Sequence, residues 1–143
     1  KTEATQVAAA EAAAVNREWS QEELMSKGKE VHDKVCAACH QVGGTGVPGA
    51  FPPLVAGQVF NAPEPMLQPL REMGFLGPDN TIVMGPVDQH AEIVLEGIPG
   101  SAMQAYAEQL SDAEIAAVIT YQRNSWGNDT GDVVQPSTIK SAR

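Results

Sequence analysis

The sequence predicts an all-α fold, and three observations support this. Two segments, Ser20-Gln21-Glu22-Glu23 and Ser111-Asp112-Ala113-Glu114, have the form of a capping box at the start of a helix. Behind each of them, apolar residues recur at the spacing that places them on one helix face. No stretch of the sequence shows the alternation that is typical of a half-buried strand.

The 143 residues are predicted to form one domain, residues 19–127, between a linker and a tail. Residues 1–18 are polar and Ala-rich without an apolar stripe, so we expect a linker that is helical at most in part. The first helix should cover residues 21–37, because Leu24, Gly28, Val31 and Val35 lie at helical spacing. Residues 41–57 are rich in Gly and Pro, which predicts an ordered loop.

Three further helices are predicted in the second half of the domain. The prolines at 63, 65 and 69 leave room only for a short helix near residues 66–73. A better helix begins at Gly85-Pro86 and ends at Gly97. The second capping box begins a helix that reaches about Asn124 and carries Ile115 and Gln122 on one face. Residues 128–143 are predicted to be a loop-like tail with one turn near residues 137–141.

Charge and hydropathy exclude several classes of function. The formal net charge of −9 disfavours nucleic acid and acidic membrane surfaces as partners, and favours a basic partner or a tethered arrangement. The longest uncharged stretch, residues 41–63, contains four prolines and five glycines, which does not suit a membrane-spanning helix. The sequence starts at Lys1 without an initiator Met or an apolar leader, so we expect either a removed signal or excision from a longer protein.

The segment Cys36-Ala37-Ala38-Cys39-His40 contains both cysteines of the sequence. Two thiols at positions i and i+3 lie on one face of a helical turn, where both reach the vinyl groups of one porphyrin, and the next histidine points at its iron. The segment therefore predicts one covalently bound haem c, attached to Cys36 and Cys39, with His40 as an axial iron ligand. Such a group would supply the apolar bulk that seven aromatic side chains do not.

Three other interpretations of the cysteine pair are weaker. A thioredoxin-like redox pair needs a preceding strand and a βαβ context. A structural zinc site needs two more ligands, and the remaining histidines are His32 and His90. A disulfide between Cys36 and Cys39 would close a very short loop and add little stability.

The second axial ligand is predicted to be a methionine, because thioether sulfur favours ferrous iron and a filled site changes little on electron transfer. Met103 is the preferred candidate, since it follows the Gly97–Gly100 loop and comes just before the capped last helix. Met84 is the second candidate, and a lone methionine is more often part of the core. The other methionines are Met25, Met66 and Met73, of which Met25 lies too close to the cysteines along the same helix.

The histidines outside the motif are given structural roles. Ligation of the iron by His32 in place of a methionine is geometrically poor, because His32 lies one turn before Cys36 on the same side. We expect His32 to pack or to make a surface hydrogen bond. His90 is expected to be partly exposed on its helix.

With these residues in place, residues 20–126 resemble class I cytochromes c. In that family the first and last helices cross at a small residue, and Gly28, His32 and Cys36 fit the family spacing, with His in place of the usual aromatic. Tyr121 matches the aromatic residue of the last helix. The family's Pro-x-Leu after the haem motif is matched by Pro52-Pro53-Leu54, which implies that the Pro52 carbonyl orients the ligand histidine and that Leu54 packs on the haem.

The resemblance is closer to one branch, the C-terminal cytochrome c domain of bacterial caa3-type cytochrome c oxidase subunit II. It is carried by residues 36–41, 46–52, 99–105 and 109–112 and by the run from 115 through Tyr121-Gln122-Arg123-Asn124-Ser125-Trp126-Gly127-Asn128. An Ala-rich linker precedes such domains too. The chain departs from the branch in having neither a cupredoxin part nor a Cys-x-x-x-Cys-x-x-x-His motif, and residues 59–83 form a longer stretch. Arg71 and Gln58 are therefore only nominal candidates for haem-propionate partners.

The resemblance implies single-electron transfer to a dicopper centre on the same polypeptide, as part of cytochrome c oxidase rather than as an enzyme alone. The electron would come from a donor cytochrome or a quinol-oxidising complex. The alternative is a free periplasmic carrier or the cytochrome subunit of a dehydrogenase. A haem enzyme or gas sensor, which needs an open sixth site, is a third possibility without supporting residues. Because haem c is attached to exported protein, the domain is expected on the periplasmic side of the bacterial cytoplasmic membrane.

Overall fold

The computed structural model describes residues 3–143 and confirms the all-α class. Within those residues, β-structure is limited to isolated bridges, and no helix is both long and apolar enough to cross a bilayer. The helices are α1 (Glu3–Asn16), α2 (Gln21–Val31), α3 (Ala37–His40), α4 (Glu64–Glu72), α5 (Val87–Glu96), α6 (Asp112–Arg123) and α7 (Pro136–Ala142).

Helices α2 and α6 form the most extensive helix–helix contact of the fold. Both begin with a complete capping box, in which the side chains of Ser20 and Ser111 accept from the backbone N–H three residues later. They cross at Gly28, where an added Cβ would lie 2.5 Å from the Cβ of Tyr121 and would overlap the Ala117 carbonyl oxygen. Glycine is therefore required here by the close approach of the two backbones.

The haem motif lies at the end of a helix that is not continuous. The sequence predicts one α-helix over residues 21–37, whereas the structure has a π-helical turn at His32–Cys36 between α2 and α3. The N–H of Ala37 donates to the carbonyl of His32, five residues earlier. Such turns often occur at functional sites, and this one ends at the first cysteine of the motif, Cys36.

The core consists of two clusters. The larger cluster joins α2, α5, α6 and α7 through buried residues such as Leu24, Leu95, Ile115, Ile119 and Ile139. The smaller cluster, which we call the insert cluster, comprises Phe60, Leu67, Leu70, Leu76 and Ile82. It lies within the long segment between residues 58 and 85, whose role the sequence left open, and it gives that segment its own packing.

The helix of this segment, α4, contains two prolines. Pro65 occupies the first turn of α4, where a helix lacks N–H partners anyway, and Pro69 follows inside a helix of only nine residues. Backbone bonds from Gly57 N to Ile82 O and from Phe60 N to Asn80 O (2.8 and 2.9 Å) close the segment on itself. The predicted short helix is thus present, slightly longer than expected.

Both chain extensions pack on the domain, whereas the sequence favoured a linker and a loop-like tail. The predicted linker is helical in α1, which contacts α6 and α7; Lys1 and Thr2 lie outside the described residues. The tail forms α7, which buries Pro136 and Ile139. The Gln135 side chain pairs with the backbone of Trp19, accepting from its N–H (2.8 Å) and donating to its carbonyl (3.0 Å), so the tail is joined to the start of the domain.

Candidate haem site

A large, mainly apolar cavity lies between the haem motif, the insert cluster and the loop that carries Met103. Its volume is about 460 Å³, within the range of small-molecule and cofactor sites. The apolar residues of its wall include Val35, Phe51, Leu54, Phe60, Leu70, Phe75, Ile82, Ile93, Val94, Ile98 and Leu110. The insert cluster therefore builds one side of the cavity.

The His40 imidazole faces this cavity in a fixed orientation. Its Nδ1 lies 2.9 Å from the Pro52 carbonyl oxygen, which makes Nδ1 the protonated nitrogen and leaves Nε2 free for a metal. Burial lowers the pKa of His40, while the bond to Pro52 opposes this shift. The ring is therefore neutral near pH 7, as iron ligation requires.

The two thiols also line the cavity, and both are free. Burial raises the pKa of the Cys36 thiol from 9.0 to about 11, against the opposing effect of the nearby Gln122 amide. A reactive redox cysteine needs a lowered pKa, so the burial of Cys36, which raises its pKa, disfavours a thioredoxin-like role. In the described part of the chain, no group of three or more His, Cys, Asp or Glu side chains is arranged to hold a metal ion.

Met103, Met84 and Met66 line the cavity, whereas Met25 and Met73 do not. The Met103 backbone is held on both sides, since its carbonyl accepts from Ile98 N (3.0 Å) and its N–H donates to Ser101 Oγ (3.2 Å). Gly97 closes this loop with φ at +71°, and a Cβ on it would lie 2.5 Å from the Met103 oxygen. A methionine whose backbone is fixed beside the cavity suits a ligand better than one that packs in a core.

Met84 and Met66 are placed differently. Both pack against the insert cluster, which is the usual role of a methionine in an irregular core. Three of the five methionines therefore line the cavity. Of these three, Met103 is the one that does not pack against the insert cluster.

The predicted site residues are brought together in part. Cys36, Cys39, His40 and Met103 all line the cavity, and the stretch from Pro52 to Leu54 forms part of its wall. Arg71 and Gln58 do not line it. Arg71 instead pairs with Glu64 at 2.5 Å, so neither nominal propionate partner is supported.

Two polar residues, His90 and Gln122, lie in the cavity wall. The sequence-based predictions did not include them in the haem site. His90 is 7% exposed, so the expectation of a partly exposed side chain is wrong. It packs edge-on against Phe75, and its Nε2 lies 3.0 Å from Gln122 Oε1. His32 is fully buried and packs beside Tyr121 and Trp126, so packing is confirmed and a surface hydrogen bond is not.

One signal in the sequence pointed to this pair. Gln122 shares the apolar face of α6 with Ile115, Val118 and Ile119, and a polar side chain on a buried face needs a partner. The sequence could not predict that His90 is this partner, because the two residues are 32 positions apart.

Acid should destabilise the fold through His90. Its pKa is lowered from 6.5 to about 4, chiefly by burial, with the Arg123 charge adding to the effect. Below about pH 6.5 the His90 imidazole becomes protonated in the unfolded chain but stays neutral in the folded chain. The free energy of unfolding should therefore fall by about 3 kcal/mol between pH 6.5 and pH 4. Urea unfolding at several pH values measures this, and the His90→Gln variant should show a shallower fall. An equal fall in both proteins would contradict the assignment.

Comparisons with known proteins agree with the fold and the cavity. A family profile described as cytochrome C oxidase, cbb3-type, subunit III matches residues 23–121. An alcohol dehydrogenase (quinone) cytochrome c subunit of Gluconobacter oxydans is 31% identical over 118 residues, which are 81% of this chain and 22% of that protein. Cytochrome c-552 of Thermus thermophilus is 36% identical over 93 residues, 65% of this chain and 63% of that protein. The dehydrogenase subunit of Gluconacetobacter polyoxogenes is 29% identical over 118 residues, with the same coverage of 81% and 22%.

The helical fold and the cavity beside a Cys-x-x-Cys-His segment define a haem-binding electron-transfer domain. The profile covers well over half of the sequence, and the chain belongs to the cytochrome c family, whose members carry covalently attached haem c. It spans about a fifth (22%) of the length of the dehydrogenase subunits and 63% of cytochrome c-552. The activity and partners of a whole protein are therefore matters of proposal.

Proposed function

We propose that this chain carries single electrons through one haem c, attached to Cys36 and Cys39 and held between His40 and Met103. The observation that carries the proposal is that residues from two segments, the haem motif at 36–40 and the loop with Met103, line one apolar cavity. When bound, the haem supplies a ferric–ferrous couple, and two protein ligands suit a carrier because little rearranges on transfer.

The remaining residues of the site orient the two iron ligands and line the cavity. Pro52 orients the His40 ring through the bond to Nδ1, and Gly97 and Ser101 hold the Met103 backbone. The apolar wall, in which Leu54 takes part, excludes water from the iron. A low dielectric around the group raises the energetic weight of every nearby charge and dipole.

We propose that the electron partner is a redox protein and that the chain serves as a dehydrogenase's cytochrome or as a free carrier. The relatives named above are quinone alcohol dehydrogenase subunits and cytochrome c-552, which favours this alternative over the oxidase assignment that the sequence placed first. The net charge of −9 favours a basic partner surface.

A relay within cytochrome c oxidase subunit II is the second candidate. It is favoured by the resemblance of residues 115–128 to that branch. In such an arrangement a tether would raise the effective concentration of the dicopper domain, so the acidic surface would not need to attract it. In both cases the domain would function on the periplasmic side of the cytoplasmic membrane.

Sequencing the gene beyond both ends of this chain distinguishes the candidates. A dicopper cupredoxin domain in the same reading frame would establish the oxidase relay and exclude the free carrier. A signal peptide that ends directly at Lys1, or further cytochrome domains in frame beside a dehydrogenase gene, would establish the alternative.

A further inference from the structure

His90 and Gln122 stand out in the wall of the haem cavity because they are polar, and they are only 7% and 5% exposed. A polar side chain buried beside an apolar cavity lowers stability unless it is hydrogen-bonded. No buried side-chain nitrogen or oxygen in the described residues lacks a partner. The partners of these two residues therefore decide what they do.

The two residues belong to a continuous hydrogen-bonded chain that runs from the buried Arg123 to the haem motif. Arg123 Nη1 lies 3.3 Å from His90 Nδ1, and His90 Nε2 lies 3.0 Å from Gln122 Oε1. Gln122 Nε2 lies 3.1 Å from His32 Nδ1, and His32 Nε2 lies 2.8 Å from the carbonyl oxygen of Gln41. Gln41 directly follows His40.

The ends of this chain fix its direction. Arginine only donates and a backbone carbonyl only accepts, so His90 must accept at Nδ1 and His32 must donate from Nε2. Each ring then has its other nitrogen in the complementary state, and the Gln122 amide must accept from His90 and donate to His32. A flipped amide would leave two donors facing each other on the Arg123 side and two acceptors facing each other on the Gln41 side.

The orientation of the Gln122 amide places its NH₂ end towards His32 and the haem motif. The amide lies beside the Cys36 sulfur, where it lowers the pKa of the thiol against the effect of burial. The charge at the outer end is balanced by Asp132, whose Oδ2 lies 2.9 Å from Arg123 Nε. Gln122, in the middle of the chain, is therefore a neutral group whose positive NH₂ end points towards His32, on the side of the haem motif.

We propose that Gln122 raises the reduction potential of the haem through this fixed amide dipole, and that His90 and His32 are positioning residues that hold it. The inference rests on the proposed function. Ferric iron carries one more positive charge than ferrous iron, so a positive dipole end in a low-dielectric site disfavours the ferric form. Because the orientation is fixed at both ends, the dipole cannot turn to compensate.

The test is the midpoint potential of the haem-loaded Gln122→Leu variant, measured by spectroelectrochemical titration. We expect a shift to lower potential with an unchanged absorption spectrum. His90→Leu should produce a smaller shift in the same direction, because the amide then keeps one anchor only. Thr120→Val is the matched control. Thr120 is buried in the same helix, and its hydroxyl bonds only backbone groups of residues 116 and 134. The midpoint potential of the haem in this variant should stay unchanged.

Two outcomes would overturn the inference. One is a Gln122→Leu variant with the wild-type spectrum and the wild-type potential; the other is an equal shift in Thr120→Val. Should Gln122→Leu fail to fold, Gln122→Met keeps the length of the side chain and must show the same downward shift. If the wild-type protein gives no reversible one-electron couple, the proposed function fails instead, which separates the two failures.

Discussion

Replacing Gly28 with alanine is expected to destabilise the fold by about 3 kcal/mol or more, beyond the usual cost of an overpacked core. The added methyl group would overlap the Ala117 carbonyl oxygen and lie 2.5 Å from the Tyr121 Cβ. Backbone atoms of two crossing helices leave no flexible side-chain end to move aside. The midpoint of urea unfolding measures the loss, which is a large part of a typical domain's 5–15 kcal/mol.

Gly43→Ala is the matched control for this prediction. Gly43 has open space around an added Cβ and does not lie in the left-handed region of the backbone. The same chemical change should therefore alter stability there by less than about 1 kcal/mol. Equal effects at the two positions would show that α2 and α6 do not meet at Gly28 as described.

Replacing Met103 with alanine is expected to open the sixth position of the iron and lower the midpoint potential. Axial ligands span roughly 0.8 V in haem proteins, and loss of a thioether removes a ligand that favours ferrous iron. The variant should lose the weak charge-transfer band at the red end of the ferric spectrum, and its ferrous form should bind carbon monoxide.

Met84→Ala serves as the comparison for Met103→Ala. Met84 lines the same cavity and is also half-buried, but it packs against the insert cluster. Its loss should lower stability by about 2 kcal/mol and leave the red band in place. If Met84→Ala removes the band while Met103→Ala keeps it, the ligand assignment is reversed.

The sequence was sufficient for those features that depend on local patterns. Both capping boxes correctly predicted where their helices begin, because the motif and the hydrogen bonds it makes are local. The end of α5 at Gly97 was predicted because glycine adopts a positive φ without strain, and Gly97 has this conformation. The crossing at Gly28 came from the resemblance to class I cytochromes c, since close contact of two helices leaves no local signal.

The features that the sequence did not predict depend on partners far along the chain. The burial of His90 requires Gln122 and Arg123, 32 and 33 residues away. The tail was predicted as a loop with one turn near residues 137–141, yet it forms α7, in which Ile139 is fully buried and which contacts α6. The π-helical turn at His32–Cys36 changes the register of hydrogen bonds without changing the apolar pattern that predicts a helix.

The central claim, a carrier with both axial positions of its haem filled, is tested most directly by the absorption spectrum of the wild-type haem-loaded chain. The account predicts a ferric charge-transfer band typical of thioether ligation and a ferrous form that does not bind carbon monoxide. Absence of the band together with ready carbon monoxide binding would contradict it, and would favour a haem enzyme or gas sensor with an open sixth site.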